Sequence, residues 1–185
     1  MITNEVKMII SYNTHDAKNN TKALTSSPLV LSKYNSWEEI REELAKQGFD
    51  IDEYDNDLVV EDLYDIYDKI SYFERWHPKR VFNLFNTAGI LKDSSRFSIM
   101  ETVAEIYGID EFVDRVELRG EEWDAGICVY EGYDWYDFGK EMCEFLGYRV
   151  HKELEPYVNY AFYGISYANK NEVFKYSNGI VEFAF

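Results

Sequence analysis

Cysteine, proline and histidine are scarce in this chain, at 2, 3 and 3 of 185 residues. Cys128 and Cys143 have no CxxC and no matching histidine pair, which excludes the usual zinc and dithiol motifs and reads as two small buried thiols in a reducing compartment. His15, His77 and His151 are scattered, as surface or helix-end histidines are, rather than grouped as catalysts. There is no HExxH, no GxSxG and no phosphate-cradling glycine loop. No run approaches the apolar length of a membrane span, and the N-terminus lacks the basic start, apolar middle and small-residue end of a signal peptide. The expectation is a cytoplasmic protein without a membrane role. Positive charge is short as well: 19 Lys and Arg face 35 Asp and Glu, a net charge of −16.

What is present is a folding core and a segregated acid. Apolar residues make up 46% and aromatic residues 17%, led by 16 Tyr and 12 Phe, which excludes the low-hydrophobicity regime of disorder despite the charge. The carboxylates fall into two blocks. Trp37 to Glu74 and Glu101 to Glu144 each hold 14 acidic against 3 basic residues, a net −11 apiece, while the remainder holds 7 against 13. A uniformly acidic protein would spread its acid. Segregation of this kind suggests surfaces shaped to present dense negative charge to something positive, and the positive groove most common in proteins is one that binds nucleic acid.

Periodicity gives a mixed α+β order. Lys7 to Tyr12 reads as a strand, and the Asn/Thr/Lys stretch from Asn13 to Ser27 as an exposed loop. Ser36 and Glu39 form a capping-box signature for a helix with Trp37, Ile40 and Leu44 on one face, stopped by Gly48. Leu58 to Val60 reads as a short strand. From Asp62 a second helix is predicted, placing Leu63, Ile66, Tyr67, Ile70 and Phe73 inward before Pro78. Val81, Phe82, Leu84 and Phe85 precede Gly89 in a helical centre, Ser98 with Glu101 caps a helix ending at Tyr107, and Asp110 to Leu118 forms another. Ile127 to Tyr130 reads as a strand, Asp134 to Leu146 as a helix stopped by Gly147, and Leu154 to Tyr163 as a helix. EVFKY and IVEFAF flank an Asn-Gly turn as a final hairpin. The order divides into a mixed αβ unit over 1–61, a helical unit over 62–119 and a mixed αβ unit with a C-terminal hairpin over 120–185.

Three helical stripes of one sign carry the functional reading. Asp134, Asp137, Glu141 and Glu144 step by three or four along one face, while Trp135, Phe138, Met142 and Phe145 line another. Asp110, Asp114 and Glu117 repeat the arrangement, and Glu61, Asp65 and Asp68 repeat it again beside Asp62; Glu38 and Glu42 lie on the outer face of the first helix. Like charges three or four apart cost a helix ~0.2 to 0.5 kcal/mol per pair, so a same-sign stripe needs a compensating role. Such carboxylates sit ~5 to 6 Å apart, and several packed acidic helices can approach a duplex, which offers one charge per ~1.7 Å of axis. Solubility faces on an acidic protein are the bland alternative for any single stripe.

Two acidic patterns in the sequence bear on metal binding. Asp50, Asp52 and Glu61 occupy positions 1, 3 and 12 of a calcium-loop pattern, but Tyr54 and Asp55 replace the oxygen ligand and the glycine at 5 and 6. A carboxylate pair holding Mg²⁺ for nuclease work is the other, against which stands the near absence of basic residues around the acid. No cofactor or metal is expected, and no catalytic residue.

The segment LEPYVNYAFYG, followed after a short spacer by NEVFKYSNGIVEFAF, resembles the end of the ArdA-type antirestriction proteins, in which a YxxY-containing helix running towards a glycine precedes a final hairpin. Tyr157, Tyr160 and Gly164 match that pattern, with Tyr163 beside them. The strand GICVY, an acidic turn and the helix DWYDFGKEMCEFLG also look like that family's third domain, so the resemblance covers about Gly126 to Phe185. It implies an elongated, curved chain of three small units, usually dimeric, whose carboxylates are similar in layout to the phosphates of bent B-form DNA. Proteins of this kind occupy the DNA groove of type I restriction-modification enzymes in the host cytoplasm and protect phage, plasmid or transposon DNA. The expected partner is thus that enzyme, with no direct binding of nucleic acid; a CRISPR nuclease, with the same kind of positive channel, is the nearest alternative target. A homodimer is expected through Tyr157, Tyr160 and Tyr163, because only two acids lie between Val150 and Ala168, with Phe162 read as core.

Overall fold

The computed structural model describes residues 5–13, 24–64, 69–93 and 95–184. It is an α+β fold with two small antiparallel sheets of three strands and, among the described residues, seven α-helices. The chain divides into two compact units, Met1–Ser98 with Val113–Trp123 and Ile99–Phe112 with Asp124–Phe185. No helix of the described residues is long and apolar enough to cross a membrane.

The first unit is built on β1 (Lys7–Tyr12), flanked by β2 (Leu29–Val30) and β3 (Leu58–Tyr64) in the order β2-β1-β3. Alternation puts Met8 and Ile10 of β1 inward with Leu58, Val60 and Leu63 of β3. Over them lies α1 (Trp37–Lys46), whose Trp37, Ile40 and Leu44 are buried. Its N-terminus uses half of the expected box: Ser36 Oγ accepts the Glu39 N–H at 3.3 Å, while the Glu39 carboxylate accepts the Asn35 N–H at 2.8 Å. The Asn13 to Ser27 stretch is not a free loop throughout. Ser26 is buried and brackets Ile10, its Oγ accepting the Ile10 N–H at 2.9 Å; residues 14–23, including His15, lie outside the described residues.

The predicted helix from Asp62 is corrected by β3, which runs on to Tyr64 and is held by β1 along its length. A bulge opposite Ile9 and Ile10 shifts the register, so the buried positions run Leu58, Val60, then Leu63. The predicted helix therefore loses its first turn, Asp62 to Tyr64, to the strand. Ile66 and Tyr67 lie outside the described residues, and Ile70 and Phe73 are buried as expected. Phe73 stands edge-on to Trp76 and Phe85 at 5.3 and 5.2 Å, joining the turn to α3 (Pro78–Thr87). Trp123 closes this core, fully buried, its indole N–H donating to the Ala88 carbonyl at 3.0 Å. A short helix α2 (Ile51–Tyr54) sits between α1 and β3.

Helix α4 spans Ser95–Tyr107 and starts three residues before the expected Ser98 cap. Asp93 accounts for the early start, because its carboxylate accepts both the N–H and the hydroxyl of Ser95. Helix α5 (Ile109–Arg119) follows the Gly108 turn, as predicted. The second unit holds the sheet β4-β6-β5, from β4 (Ile127–Glu131), β5 (Val173–Tyr176) and β6 (Gly179–Phe183). Helices α6 (Trp135–Phe145) and α7 (Tyr160–Ala168) cover it, with Phe138 and Met142 against Val173 and Ile180. The predicted helix from Leu154 is instead a 3₁₀ turn at Glu155–Tyr157, and α7 begins after Asn159, whose side chain accepts the Phe162 N–H at 3.0 Å. Gly164 lies inside α7 rather than ending it, because there α7 meets Gly139 of α6: a Cβ on Gly139 would strike the Tyr160 carbonyl oxygen and lie 2.8 Å from Gly164 N. Both cysteines are free. Cys143 is buried, which raises its thiol pKa, but Cys128 is exposed, contrary to expectation, because it points outward from β4.

Candidate acidic docking faces

In the second unit α6 is fixed by a complete capping box. Asp134 Oδ1 accepts the N–H groups of Tyr136 and Asp137 at 2.8 and 3.0 Å, and the Asp137 carboxylate accepts the Asp134 N–H at 3.4 Å. These bonds, chiefly that from Asp137 N–H, hold the Asp134 carboxyl below its ordinary range. With Phe138 and Met142 turned into the core, Asp134, Asp137, Glu141 and Glu144 are all exposed. The stripe does not stand alone. Glu131, at the end of β4, joins Tyr133, Asp137, Glu141 and Glu144 around a concavity of about 460 Å³. Lys140, the one cation there, is drawn towards Glu155 at 3.4 Å, an ion pair that raises its pKa. Phe145, expected on the inner face, is 78% exposed at the helix end.

In the first unit Glu38 and Glu42 of α1 are exposed and share a concave surface with Asp50 and Asp52 around Arg41. Arg41 bonds Asp52 at 3.2 Å and approaches Asp55 at 3.8 Å, so one positive charge sits among these carboxylates. Asp110, Asp114 and Glu117 of α5 are exposed, while Phe112, Val113 and Val116 of the same helix are buried. That stripe stands as predicted.

The stripe at Glu61, Asp65 and Asp68 does not. Glu61 and Asp62 lie in a strand, where neighbours point to opposite faces, and Asp65 and Asp68 lie outside the described residues. Glu61 accepts a hydrogen bond from Ser11 Oγ at 2.7 Å. Asp62 is half-buried and ion-paired to Lys69, which lowers its pKa, and Lys69 also reaches Glu74 at 3.2 Å. The calcium-like segment is likewise taken up by regular structure: Asp50 caps α2 through the Glu53 N–H, and Glu61 belongs to β3. Among the described residues no group of three or more His, Cys, Asp or Glu is placed to hold a metal ion.

The three tyrosines separate. Tyr157 is 84% exposed, Tyr163 is partly buried edge-on to Tyr148, and Tyr160 is buried at 3% exposure, stacked edge-on against Tyr136. Phe162, read as core, is 68% exposed, because α7 turns Tyr160 and Gly164 towards α6 and so turns Phe162 and Ile165 outward. Sequence reasoning missed Glu131, Asp50 and Asp52, whose places depend on how a strand end and a short helix meet a neighbour. His77 caps α3: Nδ1 accepts the Lys79 N–H at 3.2 Å and Nε2 donates to the Asp55 carbonyl at 2.8 Å, an arrangement that needs the neutral Nε2–H tautomer.

Fold and surface together define an α+β protein whose exposed helix faces on α5 and α6 carry carboxylates of one sign. No family model matches the chain, and no curated protein does.

Proposed function

We propose that this protein is a DNA mimic that occupies the DNA-binding groove of type I restriction-modification enzymes in the host cytoplasm and inhibits them without catalysis. The observation that carries the reading is the exposed stripe Asp134, Asp137, Glu141 and Glu144, the last three of which line a concavity with Glu131 whose one lysine, Lys140, is tied to Glu155. A distributed field of this kind attracts a basic groove and recovers on binding the repulsion tolerated in the free protein. The resemblance of Gly126 to Phe185 to ArdA-type proteins names the target. Glu38 and Glu42 on α1 and Asp110, Asp114 and Glu117 on α5 add exposed carboxylates of the same sign on their own elements; Asp62, paired with Lys69, contributes little.

The same reading includes a homodimer. Tyr157, Phe162 and Ile165 expose apolar area in a segment poor in acid, the least repulsive surface open to two chains of −16. Of Tyr157, Tyr160 and Tyr163, Tyr157 is the one most available for it, since Tyr160 is already covered within the unit.

The test is protection. Unmodified DNA is exposed to a type I enzyme with and without a stoichiometric amount of this protein, and the reading expects cleavage to stop. Undiminished cleavage would remove the type I target. Inhibition of an RNA-guided nuclease instead would keep mimicry and change its partner.

A further inference from the structure

A basic island interrupts the acid. From Arg75 to Lys92 the chain carries four Lys or Arg and no Asp or Glu, between two blocks of net −11. In the first unit this stretch forms one wall of a groove of about 560 Å³ between α3 and α5. Leu84 and Val116, both buried, form an apolar floor, and Lys79 and Arg80 stand at one end beside His77. Both cations are exposed and carry no ion pair with the described residues. Arg80 is nevertheless not loose, since its guanidinium lies 4.4 Å from the centre of the Trp76 ring and is positioned by that stacking. Glu117 stands on the opposite wall, beside Gly120.

We infer that this groove binds a small amphipathic organic anion: one carboxylate or sulfonate at Lys79 and Arg80, an aromatic or aliphatic body on Leu84 and Val116, and a hydrogen-bond donor towards Glu117. Three observations select that class. The volume lies within the range of small-molecule sites, which are mostly apolar with a few polar groups fixing orientation. The unpaired cations supply the positive charge on the rim, and Glu117 on the opposite wall disfavours a second anionic group. The net −16 repels polyanions such as nucleic acid at long range but acts weakly on a single charge. The inference uses none of the α6 stripe that carries the docking role, and shares with that role only Glu117.

The full chain, isotopically labelled, is titrated with naphthalene-2-sulfonate and followed by backbone amide NMR, with uncharged 2-naphthol as control. Saturable shifts are expected at Asn83, Leu84, Thr87, Val116 and Gly120, with a Kd of about a millimolar or tighter and about tenfold weaker binding of 2-naphthol. Lys79→Gln with Arg80→Gln is expected to weaken the sulfonate about tenfold and leave 2-naphthol unchanged, which a general loss of fold would not do. Shifts confined to Phe145, Tyr157 and Phe162, shifts that never saturate, or equal affinity of the two ligands would overturn the assignment.

Discussion

Asp134 does two things that a single substitution confounds. Its carboxylate belongs to the exposed acidic face and also caps α6 through two backbone N–H groups. The folded carboxyl lies below the unfolded value of 3.8, so the stabilisation is present above that pH and fades as pH falls through it. Asp134→Ala is therefore expected to lower the melting temperature near neutral pH, with the gap to the parent narrowing at about pH 3. Asp134→Asn removes the charge but keeps an accepting oxygen, and should hold α6 while weakening inhibition. Thermal melts at the two pH values check this, and a gap of equal size at both would show that the carboxylate's charge plays no part in the cap. Capping was legible from sequence at Ser36 and Gly48, where it depends on a few adjacent residues, but the cap read at Ser98 lies inside α4. Trp123 was not legible: it lies in no periodic apolar pattern, and what fixes it is the Ala88 carbonyl 35 residues away. Trp123→Ala should cost about 3 to 5 kcal/mol in denaturant unfolding, by loss of a fully buried ring.

Among the elements, β3 and α7 show where sequence pattern runs out. The apolar spacing of Leu63, Ile66, Tyr67, Ile70 and Phe73 predicts a helix from Asp62, whereas Asp62 to Tyr64 are held in β3 by pairing with β1. Pairing of residues fifty apart is invisible to local periodicity. Glu61 and Asp62 lie on a strand rather than a helix face for that reason, whereas the carboxylates of α5 and α6 follow helix period alone and are exposed. In α7 the misplaced start hid the meaning of Gly164, which serves close approach to Gly139 rather than termination. Gly139→Ala should destabilise by about 1 to 3 kcal/mol, since the methyl must displace the Tyr160 carbonyl or part the two helices. A melting temperature equal to the parent's would show that α6 and α7 can separate freely. Tyr157→Ser, in contrast, removes an exposed ring and should leave stability within about 0.5 kcal/mol while shifting the light-scattering mass towards monomer.

For the molecule as a whole, the proposed function rests on summed charge. The two −11 blocks were legible at once, but which carboxylates are already engaged was not, because ion pairs with Lys69 and Arg41 and the bond from Ser11 take up Asp62, Asp52 and Glu61. Inhibition should fall in steps. Neutralising one of Asp137, Glu141 or Glu144 is expected to weaken it about two- to fivefold and all three together well over tenfold, without a single indispensable residue. The most direct test is displacement: labelled DNA bound to a type I restriction-modification enzyme is titrated with this protein at low salt and again at physiological salt. The account predicts full displacement of the DNA at low salt, with an apparent affinity that falls as salt rises. A DNA affinity unchanged at low salt by excess protein would contradict it.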